Sequence, residues 1–156
     1  MVPAIVYGGW FAKLDVLFEF NHETKKVDFP GSSTKRAGFV HVYDVADAYA
    51  VVAGAPAGDV AGQAFLIAND QRITLLELWR ALATAAGSNG EVNFVAPSQR
   101  GYLGFVENMD QVADVSKLKA LGWRAKHTAV SKEEAGRLYA TFKAWKAARP
   151  EASSSH

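Results

Sequence analysis

The chain has 156 residues, of which 49% are hydrophobic and 21% charged, and a formal net charge of +1. That suffices for one domain with a core of its own, and a complement of 4 Trp, 5 Tyr and 9 Phe excludes wholesale disorder, because such rings must be buried somewhere. With no cysteine there is no disulfide, zinc thiolate or thiol nucleophile, which fits a reducing, cytoplasmic compartment.

The near-zero charge gives no reason to expect a nucleic-acid partner. No apolar run approaches the roughly 20 residues of a membrane helix. The apolar start, Met1 to Phe20, lacks a basic leader and is interrupted by Lys13 and Asp15, which argues against a signal peptide. The charge is uneven. Residues 1–115 hold 8 Lys and Arg against 13 Asp and Glu, and residues 116–156 hold 9 against 3. Solvated helix faces explain that excess more simply than an anion site does.

Val2 to Tyr7 is a β-branched run closed by Gly8-Gly9 and predicts a strand, with Pro3 at its start, where a missing N–H matters least. A strand this continuously apolar belongs inside a parallel sheet with a neighbour on each side. Apolar positions 10, 11, 14, 17 and 18 predict an amphipathic helix from Trp10 to Phe20. A short strand is expected at Lys25–Phe29, then a loop at Pro30–Ser33. Gly38 to Tyr43 alternates, with Phe39, His41 and Tyr43 on one face and Val40 and Val42 on the other. It leads into a helix that Asp44 is expected to cap and that runs to about Ala53, with Asp47 favouring the helix dipole. Residues 54–58 read as a turn and Gln63–Ile67 as a strand.

Two helices carry full start signals. Thr74-x-x-Glu77 and Ser131-x-x-Glu134 are capping boxes, in which a hydroxyl accepts one orphan N–H and a carboxylate accepts another. Ile73 and Leu78 stand as a hydrophobic staple, Leu78, Leu82 and Ala86 form a stripe, and Gly87 is the stop. In the second helix Ala135, Leu138, Phe142 and Trp145 share a face, and Pro150 lies beyond its end. Between the two lie a strand at Val92–Val95, an unassigned stretch at 98–109 and a short helix near 115–120. Residues 1–150 read as one domain, and 151–156 as a disordered tail. The order of elements reads as α/β or α+β.

Phe39-Val40-His41-Val42-Tyr43-Asp44-Val45-Ala46-Asp47-Ala48 resembles the "F-V-H-V-x-D-V-A-x-A" signature of the extended short-chain dehydrogenase/reductases, the NAD-dependent epimerase/dehydratase family. Three more stretches match in the family's order. Pro3 to Gly8 resembles "R-P-x-x-V-Y-G", with Val2 in place of the Arg. Gln63–Ala68 with Ile73–Leu78 resembles "F-N-L…T-x-x-E-L". Asp114-x-Ser116-Lys117 with Leu121-Gly122-Trp123 resembles "D-x-S-K…L-G-W".

The resemblance implies an α/β fold: edge strands of a Rossmann-like sheet plus the small α/β substrate-binding domain, with the N-terminal cofactor half absent. It implies NAD or NADP in the complete enzyme, and a small-molecule substrate oxidised or reduced at a hydroxyl or carbonyl carbon. Pro3, Ala4, Ile5 and Val6 are the implied cofactor contacts. Tyr7, Trp10, Arg36 and His41 are the implied substrate contacts, although Arg36 stands one residue further from His41 than in the sugar epimerases. His41 reads more simply as a hydrogen-bonded core residue, and Trp10-Phe11 reads equally as core.

Dinucleotide binding needs a Gly-rich turn between strand and helix, and no G-x-x-G-x-x-G stands in this sequence. Tyr139-x-x-x-Lys143 has the family's catalytic spacing, but i, i+4 neighbours arise by default on a helix. No catalytic residue is assigned. Nor is a metal site, since His22, His41, His127 and His156 have no ligand spacing. The chain is therefore expected to bind NAD(P) very weakly and to be inactive alone. The alternative is a non-catalytic interaction module or complementing subunit derived from the same fold, with a protein partner or a second copy covering the exposed sheet edge.

Overall fold

The computed structural model describes residues 1–8, 27–36, 38–71, 73–95, 110–127 and 131–148. The helix expected at Trp10–Phe20, the unassigned stretch at 98–109 and the tail at 151–156 lie outside the described residues, as do Trp10, Phe11 and His22.

The opening segment forms β1 (Val2–Pro3) and β2 (Ile5–Tyr7), which meet at Ala4. Both are parallel-paired, as the apolar run implied. β1 lies against β5 (Leu66–Ile67), with Val2 opposite Leu66 and Pro3 opposite Ile67. β2 lies against β4 (Phe39–His41), with Ile5 opposite Phe39 and Tyr7 opposite His41. The N–H of Ala4 donates to the Ile67 carbonyl at 2.8 Å and that of Ile5 to the Gly38 carbonyl at 3.1 Å, so the partner changes between consecutive residues. Each half of the opening segment thus has one partner strand among the described residues. A third parallel pair joins β3 (Val27–Pro30) to β6 (Val92–Val95).

The helices are α1 (Val42–Gly54), the single turn α2 (Ala57–Val60), α3 (Leu75–Ala85), α4 (Ser116–Ala120) and α5 (Lys132–Ala147). The connection read as a turn at 54–58 thus contains a helical turn, and the strand read over 63–67 is shorter. α3 keeps its full start signal: the Thr74 hydroxyl accepts from Glu77 N–H while the Glu77 carboxylate accepts from Thr74 N–H at 2.8 Å. Past its end, Gly87 takes φ +86°, the left-handed turn that glycine allows most cheaply. Among the described residues no helix is long and apolar enough to cross a membrane.

β4 separates two cores. Phe39 joins Tyr7, Leu78, Leu82, Ala135, Leu138 and Phe142, so one core is the seam of α3 against α5 beneath β2 and β4. Val40 joins Ala48, Phe65, Ile67, Val115, Leu118 and Trp123 on the other side. The alternation seen in the sequence is what sends neighbouring residues of one strand into different cores. Leu82 and Leu118 are fully buried, which stabilises the fold by about 1.5–3 kcal/mol each.

The described cations of the C-terminal stretch lie on helix and loop surfaces, several of them paired with carboxylates. Lys119 meets Asp70, Lys126 meets Asp47 and Arg137 meets Glu133. The Lys119 bond holds the Asp70 carboxyl below its ordinary range, and the Asp47 bond raises the Lys126 ammonium.

Candidate functional site

The site grows from the C-terminal end of β4, where strand turns directly into helix. α1 begins at Val42, earlier than expected, so Asp44 is its third helical residue and the cap is His41. This corrects the expectation that Asp44 caps α1. The His41 backbone is extended (φ −71°, ψ 143°), and its Nδ1 accepts the Tyr43 N–H at 3.2 Å. An imidazole can do this only while Nδ1 carries a lone pair, so the ring proton sits on Nε2. Nε2 in turn faces Glu134 Oε1 at 3.3 Å.

Asp44 is fully buried and serves a different purpose. Its carboxylate accepts from Lys126 N–H and His127 N–H at 3.0 Å each and pairs with His127 Nδ1 at 2.9 Å, while its carbonyl accepts the Trp123 indole N–H at 3.0 Å. One side chain thus anchors a segment 83 residues away. That anchoring stacks the His127 ring on His41, with centroids 4.2 Å apart and planes 19° from parallel.

Two stacked imidazoles therefore lie between two carboxylates, each ring nearest its own. They border an open cleft of about 430 Å³ whose rim includes Tyr43, Arg137 and Thr141. Burial, and then the neighbouring His127, push the His41 imidazole below its ordinary range, against the opposing pull of Glu134 and Asp44; Arg137 adds slightly to the lowering. Tyr7 packs edge-on to His41 at 5.1 Å, is fully buried, and has a hydroxyl without a hydrogen-bond partner among the described residues. Burial first, then the charges of Glu134 and Asp44, raise that phenol well above its usual range.

The residues singled out in the sequence fall into separate places. Pro3 ends β1, Ala4 joins it to β2, and Ile5 and Val6 begin β2, with Pro3 exposed and the others half-buried. Tyr7 and His41 adjoin each other. Arg36 does not join them. It lines a second, polar cleft of about 260 Å³ with Asp70, Gln111 and Lys119, and its backbone is tied to Asp110 and Gln111. Tyr139 and Lys143 lie on α5, with the ammonium 5.0 Å from the ring centroid, a contact that helical spacing alone produces. Among the described residues no group of three or more His, Asp or Glu is arranged to hold a metal ion.

Sequence reasoning missed Asp44 as an anchor, Glu134 as the partner of His41, and His127, which it weighed only as a metal ligand, as the ring stacked on His41. The one available signal was an acidic residue at the third position of α1, which fits a buried anchor as well as a dipole.

No family model and no curated protein matches the sequence. Solved structures do match. GDP-mannoheptose C4 reductase from Campylobacter jejuni with NADP bound aligns at TM-score 0.70 and 21% identity, over 91% of this chain and 48% of that one. UDP-glucose 4-epimerase from Thermotoga maritima with UDP-glucose aligns at 0.67 and 21%, over 92% and 45%. dTDP-glucose 4,6-dehydratase from Bacillus anthracis with NAD aligns at 0.63 and 18%, over 91% and 43%. The fold is the one these enzymes share. The chain spans a little under half the length of each, as expected of a Rossmann-like sheet edge with its small α/β domain.

Whether the described residues suit a dinucleotide follows from where their N–H groups go. Ala4 and Ile5 spend theirs on the sheet and Pro3 has none. The first turn of α1 is capped by a buried imidazole rather than opened by glycines. Among the described residues, Pro3 to Ile5 and the start of α1 do not form the cradle that a pyrophosphate needs.

Proposed function

We propose that this chain is the substrate-binding portion of an NAD(P)-dependent epimerase, dehydratase or reductase, acting on a hydroxyl or carbonyl carbon of a small organic substrate, and that it is inactive alone. The observation that carries the reading is the parallel opening strand, passed from β5 to β4 at Ala4, in a fold shared with three enzymes of that chemistry over under half their length. In this reading Pro3 to Val6 offer backbone beside the nicotinamide, Tyr7, Trp10, Arg36 and His41 belong to the substrate lobe, and the phosphate-binding turn and proton-transferring Tyr/Lys pair come from elsewhere. The chain supplies pocket walls and orientation.

Calorimetry with NAD⁺ and NADPH tests this directly: binding is expected in the millimolar range or weaker, about −4 kcal/mol or less favourable. A micromolar constant, or turnover of a nucleotide-sugar substrate by the chain alone, overturns it.

One observation favours a second reading, a complementing or interaction module. Val2 and Leu66, opposite each other in register, are 53% and 41% exposed, and apolar pairs at a sheet margin invite a partner. Under this reading the chain self-associates or captures a Gly-rich partner half. A clean monomer in size-exclusion chromatography that stays unshifted when such a half is added counts against it.

A further inference from the structure

The site contains an uncommon device. Helix N-caps are ordinarily Ser, Thr, Asp or Asn, whose oxygens accept an N–H over most of the pH range. α1 is capped instead by an imidazole nitrogen, which accepts only while unprotonated. Everything around that ring on the described elements bears on its proton. Glu134 and Arg137 face it from α5, His127 stacks on it from the segment after α4, Asp44 and Tyr43 flank it on α1, and Tyr7 meets it from β2. The backbone also leaves it no slack at Gly8, where an added Cβ would stand 2.4 Å from His41 Nε2.

We infer that His41 is an acid-operated latch. With Nε2–H toward Glu134 and a bare Nδ1, it caps α1; taking a second proton on Nδ1 sets that proton against the Tyr43 N–H and frees the first turn of the helix. The proton comes from solvent through the cleft that His41 borders. No other bond is made or broken. The ring exchanges a hydrogen bond accepted from Tyr43 for an ion pair with Glu134. The charged ring meanwhile sits 4.2 Å from His127, so the 126–127 segment, held by the Asp44 carboxylate at the start of α1, loosens with the turn that bears it. Burial and the neighbouring imidazole, which hold His41 below its ordinary range, keep the latch closed at neutral pH.

Long-range ¹H–¹⁵N spectra of the 156-residue chain read the latch atom by atom. At pH 7.5 the His41 Nδ1 should show the shift of an unprotonated nitrogen and Nε2 that of a protonated one. On acidification Nδ1 should gain its proton while Tyr43 amide exchange, corrected for its intrinsic pH dependence, rises about tenfold or more. In His41→Asn, which offers a cap oxygen that does not titrate, the corrected Tyr43 exchange should become flat with pH. A protonated Nδ1 at pH 7.5, unchanged Tyr43 exchange across the titration, or an unaltered acid response in His41→Asn each overturns the inference. Should His41→Asn fail to fold, the spectra of the unmodified chain decide alone.

Discussion

α3 and α5 open with the same four-residue signature and use it in opposite ways. At α3 the Glu77 carboxylate turns back on its own helix and accepts from Thr74 N–H and hydroxyl, exposed to water throughout. At α5 the Ser131 hydroxyl does its share by accepting Glu134 N–H at 3.0 Å, but the Glu134 carboxylate is buried and directed to His41 and Arg137. α1 carries a third carboxylate at the same helical position, and Asp44 leaves its helix N-terminus altogether to hold the 123–127 segment. A first-turn acid is thus a local cap only where nothing buried competes for it. Where an imidazole or unpaired N–H groups lie within reach in a water-poor interior, the tertiary partner wins, because leaving those donors unmet costs more than a surface cap contributes.

The sharpest way to break this comparison is to remove the most committed acid. Asp44→Ala leaves two part-buried backbone N–H groups and the half-buried His127 ring without their acceptor, with an expected loss of about 2–4 kcal/mol in denaturant unfolding. A loss under about 1 kcal/mol would mean that Asp44 anchors nothing and only favours the dipole of α1. Gly8→Ala probes the same corner from the other side: φ is +98° and the new Cβ collides with the His41 ring, for an expected cost of about 2 kcal/mol by the same measurement. Thr74→Ala and Ser131→Ala each remove a hydroxyl cap and should cost about 1 kcal/mol apiece. Only Thr74→Ala also takes a donor from its glutamate, whose carboxylate then keeps the backbone N–H of residue 74 alone.

The smallest effect is a difference in pH window. The Glu77 carboxyl is held below 4.5 by the Thr74 N–H and hydroxyl, so its contribution is present above that value and lost as pH falls through the lowered one. His41 is a base held below 6.5, so the unfolded chain binds its proton first and stability begins to fall as pH drops past 6.5. Amide exchange should therefore report the start of α1 opening well above the pH at which the start of α3 opens. Coincident transitions would mean that the two caps respond to one global event.

Much of the fold was legible because it rests on short-range rules. The Thr74 box, the Gly87 stop, the Ala135–Leu138–Phe142 face and the parallel character of the opening strand each follow from residues within a turn or a strand of one another. The alternation at Phe39-Val40 put those residues on opposite faces, and the structure sends them into different cores. The site was less legible. Arg36 and His41 are close in sequence and resemblance groups them, yet they border different clefts, because β4 carries His41 into the core while Arg36 stays with Thr74 and Asp110 at the margin.

The sequence by itself determined the α/β class, the placement of most described helices and strands, and the likeness of this chain to the C-terminal portion of an epimerase-type enzyme, since periodicity, turn chemistry and motif order are properties of neighbours along the chain. Tertiary structure alone decided which acid meets which donor. Electrostatic partners are chosen by distance and dielectric in three dimensions, and His41, His127, Asp44 and Glu134 come within hydrogen-bonding or stacking reach only after β4, α1, α5 and the 123–127 segment have packed.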